Sequence, residues 1–449
     1  MSITKKLKLS YPKMIALGFL TIITIGTILL LLPISTRSGE SAGLITALFT
    51  ATSATCVTGL VVVDTYLYWS VFGQIVIMTL IQIGGLGFMT VITMFSFFLK
   101  RKIGLGERSL QRESINTMHI GGVIRLTKKI LIGTFIFESV GALLLATRFI
   151  PKLGFVRGAF TSLFTSVSAF CNAGFDLTGR YEPYASLIPF QNDVIINFTV
   201  MALIVIGGIG FFVWDDIYTN KCKFAKYKLH TKIVLCTTTF LIVFGAVIFF
   251  LLEGRNETMK DMNFFEKVMA SLFASITPRT AGFNTIDLAK MTPGSKILTD
   301  ILMFIGGSPG STAGGIKTTT FAVLVLCTWQ NIRNKSGANA FHRRLEATAL
   351  SQATSVATIN MTMLITATLL ICIAQPHFHM SDILMETFSA IGTVGLSTGI
   401  TRDLSTFSRL IIILLMYSGR VGGLSFAMTF AQKSMKPAVQ NPVEKINIG

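Results

Sequence analysis

Four short segments of the sequence share one pattern, and this repeat limits the fold more than any other feature. Each segment is rich in small and hydroxyl-bearing residues, ends in a glycine and lies between two long apolar runs. The four segments are SATCVTGL at Gly59, SAFCNAGF at Gly174, TPRTAGF at Gly282 and AIGTVGL at Gly395. Backbone carbonyls arranged in a ring can replace the water shell of a cation such as K+. The repeat therefore predicts four glycine loops around one axis.

The composition indicates a polytopic membrane protein. Of the 449 residues, 51% are hydrophobic and 13% are charged, whereas a soluble chain carries about 25% charged residues. A membrane-crossing helix needs about 20 predominantly apolar residues, and eight runs are long enough to cross. They cover residues 14–33, 71–99, 123–150, 194–214, 232–252, 297–329, 348–374 and 408–431.

The net charge of +18 is distributed unevenly among the loops. Basic residues cluster at 5–13, 100–129, 221–232 and 333–344, while the intervening connections carry most of the acidic residues. Cytoplasmic loops of membrane proteins are enriched in Lys and Arg. The pattern therefore predicts a multi-pass protein of the plasma membrane with both termini in the cytoplasm, and it disfavours nucleic-acid binding.

The chain divides into four predicted units, 1–118, 119–228, 229–345 and 346–449. Each is predicted to contain a membrane helix, a half-length helix, a glycine loop and a second membrane helix. The half-length helices, of about ten to twelve residues, are too short to cross the bilayer, and their C-termini favour a cation. They share an aromatic residue at Phe49, Phe164, Phe273 and Phe388. The predicted fold is an all-α polytopic membrane protein with eight transmembrane helices in four helix–pore loop–helix repeats around one pseudo-four-fold cation pore.

The third unit departs from this scheme at MFIGGSPGSTAGGIKTTT, residues 303–320. Pro309 and five glycines make a regular helix unfavourable here. A passive kink would need only one Pro or one Gly pair, so we interpret the stretch as a mobile gate below the glycine loops, with a passive kink as the alternative. The shorter sequences IGGLGF (83–88) and IGGIGF (206–211) are interpreted as sites of close helix packing.

Arg420 lies within the last apolar run, in LLMYSGRVGGL. An arginine at the centre of a membrane helix costs about 2.5–3.5 kcal/mol on insertion scales, so such a residue normally faces the bundle interior or a wet cavity. We predict that Arg420 lines the pore beside the Gly/Ser-rich stretch and carbonyls of the pore wall. Snorkelling to the cytoplasmic interface is the alternative.

The sequence gives less support to a resident metal site, a bound nucleotide, enzymatic catalysis or secondary transport. The six cysteines have no zinc or redox spacing, and His377 and His379 supply two ligands without a third, so no resident metal site is predicted. No GxGxxG follows a strand, so no nucleotide cofactor is expected in this chain. An intramembrane enzyme would need a His or paired Asp to activate a nucleophile, and no catalytic residues are predicted. A secondary transporter of another small solute is the alternative function, but that class places ionisable groups along its substrate path and the apolar runs here contain few acids. Glu138, inside the third run, is expected to pair with a polar neighbour and not to relay protons.

Taken in order, these motifs resemble the Trk/Ktr/HKT superfamily of K+ transporters, particularly the bacterial Ktr membrane subunit. The resemblance covers nearly the whole chain, and GGSPGSTAGGIKTTT followed by Arg420 is its most distinctive part. It implies K+ uptake through one pore per subunit, in a homodimer, with Na+ as an activator. It also implies a separate cytosolic ring of nucleotide-binding regulatory subunits, for which the basic loops and the tail at 433–449 are predicted docking surfaces.

The resemblance also implies which residues form the K+ path. The filter carbonyls would belong to Val57, Thr58, Gly59, Asn172, Ala173, Gly174, Thr280, Ala281, Gly282, Thr393, Val394 and Gly395. The gating loop would consist of Gly306, Gly307, Ser308, Pro309, Gly310, Ser311, Thr312, Ala313, Gly314 and Gly315, with Arg420 beside it. Gly59 stands where a serine accompanies Na+ selectivity in the plant branch, so K+ is favoured. Because the four loops are not identical, we expect modest K+/Na+ discrimination.

Overall fold

The regular structure of the chain is α-helical apart from short 3-10 turns and one hairpin, where the computed structural model describes it, over residues 11–87, 90, 123–221, 223–333, 339–346 and 348–423. Helices suit so apolar a chain because they satisfy backbone hydrogen bonds internally, without water. In chain order they are α1 (Tyr11–Leu31), α2 (Leu44–Thr55), α3 (Thr65–Tyr68), α4 (Val71–Leu86), α5 (Val123–Leu153), α6 (Phe155–Cys171), α7 (Val194–Gly208), α8 (Phe211–Asn220), α9 (Leu229–Glu253), α10 (Phe264–Ile276), α11 (Pro293–Phe304), α12 (Thr318–Ile332), α13 (Ala349–Ala374), α14 (Met380–Gly392) and α15 (Thr406–Val421). A small antiparallel hairpin, β1 (Asn339–Ala340) and β2 (Arg343–Arg344), follows α12.

Within the described ranges, four helices are long and apolar enough to cross a membrane, namely α1, α5, α9 and α13. Their most apolar windows are only 28–33% buried inside the protein, and large apolar side chains such as Phe135 and Leu143 are 74% and 70% exposed. Such outward apolar surface suits a lipid environment. The pair α7 and α8 is a fifth span if it is counted as one. The number of eight remains a prediction, because two of the predicted spans continue beyond the described residues.

The half-length helices contain 12, 17, 13 and 13 residues in α2, α6, α10 and α14. The predicted length is therefore close for three of them and wrong for α6. This helix is longer because it begins directly after Gly154, whose φ of 80° reverses the chain at the end of α5 without a longer connection.

Each of the four units packs against the next, and the last unit packs against the first. Each half-length helix packs against the long helix that precedes it in the chain. The helix after each glycine loop then packs against the half-length helix of the next unit, α4 on α6, α7 on α10 and α11 on α14, and α15 of the last unit packs on α2 of the first. The glycine loops, at the ends of the half-length helices, are thereby brought to the centre.

The predicted span at 194–214 is broken into two helices. The chain bends by 93° between α7 and α8, at Gly210, whose φ is 97°. Only glycine adopts this conformation without strain. The IGGIGF sequence therefore ends a helix in addition to packing closely, and Gly87 ends α4 in the same way, with a φ of 80°. The prediction that no regular helix crosses 303–320 is confirmed, because α11 ends at Phe304 and α12 begins at Thr318.

Candidate functional site

The four glycine loops share an unusual backbone conformation. Two places before each glycine stands a non-glycine residue with positive φ, 58° at Val57, 60° at Asn172, 74° at Thr280 and 50° at Thr393. The glycines follow with φ of 93° at Gly59, 70° at Gly174, 80° at Gly282 and 94° at Gly395. A left-handed conformation costs a non-glycine residue about 1–2 kcal/mol. Its recurrence at four equivalent positions indicates one common loop geometry.

The ends of the half-length helices produce this geometry. In the first loop the amide of Thr58 donates to the carbonyl of Ser53 at 2.8 Å, the long bond of a Schellman motif, which requires a left-handed residue between its partners. Equivalent bonds run from Ala173 to Ser168 and from Val394 to Ser389. The third loop, which contains Pro278, instead bonds Ala281 to Thr277 at 2.9 Å.

The four loops meet in a closed ring, which we call the glycine ring. In each loop the carbonyl oxygen just before the glycine lies against the glycine of a neighbouring loop. The contacts are Ala173 to Gly59, Ala281 to Gly174, Val394 to Gly282 and Thr58 to Gly395. All twelve residues predicted for the filter belong to these four loops, and the structure brings the loops together in chain order.

Close approach explains why glycine is needed in the ring. A Cβ on Gly174 would lie 2.8 Å from the carbonyl oxygen of Ala281, and one on Gly282 would lie 2.5 Å from that of Val394. At Gly59 and Gly395 the overlap with the neighbouring carbonyl is greater still. Since backbone atoms cannot move aside as a flexible side chain can, any side chain at these positions must displace a carbonyl of the ring.

A cavity of about 170 Å³ opens on one side of the glycine ring, and we call it the ring cavity. It lies on the side where the residues that follow each ring glycine in the sequence are found. All four ring glycines line it. Its wall carries three carboxylates and one guanidinium, from Asp64, Asp176, Asp287 and Arg402. In the sequence these acids are distinguished only by lying in the loops that carry few basic residues. The one local signal for a site was the position of Asp176, two residues after Gly174.

Hydrogen bonds hold the carboxylates of the ring cavity in place. Asp64 accepts from the amides of Tyr66 and Leu67 at the start of α3, and its other oxygen accepts from the amide of Tyr184 at 2.9 Å. Burial raises the pKa of Asp176 to about 6; hydrogen bonds from Thr178 oppose this rise, and the charge of Asp64 adds to it. The cavity wall is therefore negatively charged at neutral pH.

The opposite side of the glycine ring is covered by residues 305–317, the interrupting loop. The two ends of the loop lie next to each other, because Ile305 and Ile316 form an isolated parallel β-bridge. A Cβ on Gly314 would overlap the side chain of Thr393, and one on Gly315 would lie 3.1 Å from the carbonyl oxygen of Gly392. The loop therefore lies directly against the fourth glycine loop.

The bend after α7 provides the hydrogen-bonding partners of the interrupting loop. The amides of Ser308 and Thr312 donate to the carbonyls of Gly208 and Gly207 at 2.9 and 3.3 Å, and the amide of Phe211 donates to the carbonyl of Gly310 at 2.7 Å. A helix that continued unbroken through Gly210 would use the carbonyls of Gly207 and Gly208 and the amide of Phe211 for its own hydrogen bonds. The second and third units are thus coupled at this point, which the separate motifs did not reveal.

Arg420 joins the interrupting loop to α4. Its guanidinium donates to the carbonyl of Thr312 in the loop, and to the carbonyls of Gly84 and Gly85 at 2.5 and 3.2 Å. The predicted neighbours, the Gly/Ser-rich stretch and nearby backbone carbonyls, are confirmed. The guanidinium is directed toward the protein interior, so the alternative of snorkelling is wrong.

Glu138 lies behind the glycine ring and is also paired as predicted. It is 8% exposed and accepts a hydrogen bond from Gln82 at 3.3 Å. The thiol of Cys171 contacts both side chains, at 3.8 and 3.7 Å. Within the ranges described above, no group of three His, Cys, Asp or Glu side chains is placed to hold a metal ion.

Comparison with known proteins finds relatives that match almost the whole chain. The chain is similar to the potassium/sodium uptake protein NtpJ of Enterococcus hirae, with 40% identity over 447 residues, or 98% of each chain. It is also similar to the Ktr system potassium uptake protein B of Bacillus subtilis, with 41% identity over 431 residues, 96% of this chain and 95% of the relative.

A solved structure and a family model extend the comparison. The potassium transporter TrkH from Vibrio parahaemolyticus is similar in fold, with a TM-score of 0.77 and 16% identity, over 96% of this chain and 87% of that one. Residues 4–439 match the family model of TrkH, cation transport protein. These relatives are transporters and not enzymes, and the resemblance indicated by the motifs is confirmed. The chain belongs to the TrkH family of cation transport proteins.

Proposed function

We propose that this protein takes up K+ across the plasma membrane, with the glycine ring as its selectivity filter. The observation that carries the proposal is the closed set of carbonyl–glycine contacts among four separate loops. Carbonyl oxygens gathered around one axis supply the ligands that a dehydrated K+ requires. The similarity to two proteins whose names specify potassium uptake supports the choice of K+.

The charges on the two sides of the glycine ring support a direction of passage. The ring cavity, with Asp64, Asp176 and Asp287 in its wall, is the outer vestibule, where negative charge concentrates cations. The interrupting loop is the inner gate, because its residues and Arg420 lie against the opposite side of the ring. K+ thus moves from the vestibule through the ring and past the gate.

The oligomeric state, the membrane topology and the regulatory partner are proposed from the family resemblance. We propose a homodimer with eight spans per chain arranged in four pore repeats, both termini in the cytoplasm, and Na+ as an activator. A separate cytosolic ring of nucleotide-binding subunits would regulate the gate. Of the predicted docking surfaces, residues 100–122 of the first basic loop, residue 222 of the second and the whole tail at 433–449 lie outside the described residues.

The test of the filter is K+-limited growth and K+ uptake in a bacterial strain that lacks its own K+ uptake, with Na+ varied. Gly59→Ser introduces a side chain that must displace the carbonyl of Ala173. Gly39→Ser is the matched control, since Gly39 has a φ of 74° and nothing within 4 Å of an added Cβ. Both variants carry the backbone strain, but only Gly59→Ser disturbs the ring.

We expect the wild-type chain, supplied with a regulator, to rescue growth at low K+. Gly59→Ser should raise the half-saturating K+ concentration at least tenfold, equivalent to about 1.4 kcal/mol, or admit Na+, while Gly39→Ser matches the wild type. Absence of rescue by the wild type would contradict K+ uptake. Equal behaviour of Gly59→Ser and the wild type would contradict the assignment of the glycine ring as the filter.

A further inference from the structure

Residues 181–187, which we call the crossing segment, contact all three of the other units. The segment belongs to the second unit and follows its glycine loop. The amide of Tyr184 donates to Asp64 of the first unit at 2.9 Å, and the last amide of the segment donates to the carbonyl of Asn284 of the third unit at 3.0 Å. The Cζ atom of Arg402, in the fourth unit, lies 4.4 Å from the ring centroid of Tyr184.

The contact between Tyr184 and Arg402 joins two units that are not neighbours. Each unit packs against the next in chain order and the last packs against the first, so the second and fourth units lie on opposite sides of the axis. Both side chains line the ring cavity, together with the four ring glycines. A guanidinium over an aromatic face is a favourable arrangement. The pair therefore bridges the ring cavity instead of belonging to one side of its wall.

The backbone around Arg402 is shaped to hold the guanidinium in this place. The side chain folds back on its own chain, and its Nε donates to the carbonyl of Gly399 at 3.2 Å. Gly399 has a φ of 103°, which favours glycine, and a Cβ there would lie 2.7 Å from a terminal nitrogen of Arg402. The carbonyl of Arg402 accepts from Arg409 at 2.7 Å. The position of the guanidinium is thus fixed by Gly399 on one side and by Tyr184 on the other.

The charge of Arg402 is not cancelled by a carboxylate of the ring cavity. Asp64, Asp176 and Asp287 line the same cavity, but none of the ion pairs within the described ranges involves Arg402. Asp287 pairs instead with Lys290, at 3.5 Å. A cation that enters the cavity therefore meets fixed negative charges and one fixed positive charge together.

Carboxylates alone would favour divalent cations over K+. Ca2+ takes oxygen ligands, carboxylates among them, and its interaction with any fixed charge is twice that of K+ at the same distance. A cavity lined only by acids would therefore concentrate Ca2+ beside the ring. A fixed positive charge acts in the opposite direction, again with twice the effect on Ca2+. One guanidinium in this cavity thus lowers its occupancy by Ca2+ more than its occupancy by K+.

We propose that Arg402, held on Tyr184 across the ring cavity, is a specificity-determining residue that excludes divalent cations from the K+ path. This proposal rests on the proposed function. With the guanidinium in place, the carboxylates attract K+ but do not retain Ca2+ at the entrance to the ring. Without it, Ca2+ occupies the cavity and obstructs the passage of K+.

The test is K+ uptake at several external Ca2+ concentrations by whole cells of the strain that lacks its own K+ uptake. Arg402→Gln removes the charge and Arg402→Lys keeps it. Arg255→Gln is the matched control, because it removes an exposed arginine in the connection between α9 and α10. We expect Arg402→Gln to lower the half-saturating K+ concentration about twofold and the inhibition constant of Ca2+ about fourfold, since the electrostatic energy of Ca2+ changes twice as much. Arg402→Lys should retain most of the resistance to Ca2+, and Arg255→Gln should match the wild type.

Chemical modification from outside the cell separates the charge from the role of the side chain in folding. Arg402→Cys should be as sensitive to Ca2+ as Arg402→Gln. The reagent 2-trimethylammonioethyl methanethiosulfonate, which attaches a positive charge and does not cross the membrane, should restore the resistance. The neutral methyl methanethiosulfonate should not, and neither reagent should affect the wild type, which tests the native cysteines. Readouts in one preparation before and after the reagent do not depend on yield.

Several results would overturn the proposal. If folded Arg402→Gln and Arg402→Cys are no more sensitive to Ca2+ than the wild type, Arg402 does not exclude divalent cations. If both fail to fold while Arg402→Lys folds, Arg402 supports the structure and not the selectivity. These results leave the proposed function intact as long as the wild type rescues growth at low K+. Absence of that rescue would instead refute the proposed function itself.

Discussion

Gly207 allows a sharp test of how the interrupting loop is anchored. This residue lies in α7, where alanine would normally stabilise a helix. A Cβ on Gly207, however, would overlap the carbonyl oxygen of Phe170 and lie 3.0 Å from the hydroxyl of Thr312. That hydroxyl already donates to the carbonyl of Phe170 at 3.1 Å. We therefore expect Gly207→Ala to destabilise the protein.

The magnitude follows from three contributions. Replacing a helical glycine by alanine gains about 0.5–1 kcal/mol in helix propensity. Forcing a methyl group into a well-packed contact costs about 1–3 kcal/mol, and the loss of the bond from Thr312 to Phe170 costs about 0.5–1.5 kcal/mol. The net change in the free energy of unfolding is a loss of roughly 2 kcal/mol, obtained by combining these ranges. For a chain of this size it corresponds to a fall in Tm on the order of 2–5 °C.

The assay is thermal unfolding in detergent, followed by tryptophan fluorescence. Trp214 is a suitable reporter because its ring lies 5.7 Å from that of Phe170. The matched control is Gly294→Ala, in the exposed first turn of α11, where the nearest atom to the new Cβ is a methyl carbon of Leu252 at 3.4 Å. The control should melt at or slightly above the wild-type temperature. If Gly207→Ala melts as high as the control, the close approach of α7 to the end of α6 does not limit stability and the reasoning is wrong.

Two further predictions concern charged groups. Because the pKa of Asp176 is raised to about 6, the outer vestibule loses a negative charge as the external pH falls through that value. The half-saturating K+ concentration of uptake should then rise several-fold from about pH 7 to about pH 5 in the wild type and stay flat in Asp176→Asn; a wild-type slope that persists in the variant would assign the pH effect to another group. Lys296 and Asp382 join α11 to α14 at 3.0 Å, with side chains only 14% and 17% exposed, so Asp382→Asn should lower the free energy of unfolding by about 1–3 kcal/mol. Asp215→Asn breaks the more exposed pair with Lys129 and should change it by less than about 1 kcal/mol; equal melting of the two variants would contradict the importance of burial.

Several features of this protein could be predicted from the sequence because they depend on local chemistry. A run of small residues that ends in Gly59 limits the backbone wherever it occurs, and Pro309 among five glycines prevents a regular helix in any surroundings. Arg420 was predicted to face the interior because a buried guanidinium must find acceptors in any fold. The class of fold, the family and the group of candidate residues all follow from such local facts.

The tertiary structure decided which groups meet. The sequence does not specify that the carbonyl of Ala173 lies against Gly59, or that Gly207 and Gly208 bind the interrupting loop after a 93° bend. The bend was missed because IGGIGF is compatible with either a packed or a broken helix, and only the partner amides from another unit favour the break. For the same reason the sequence does not reveal that the ammonium of Lys317 donates to the carbonyls of Ala313 and Gly314, because these groups face one another only when the loop is folded.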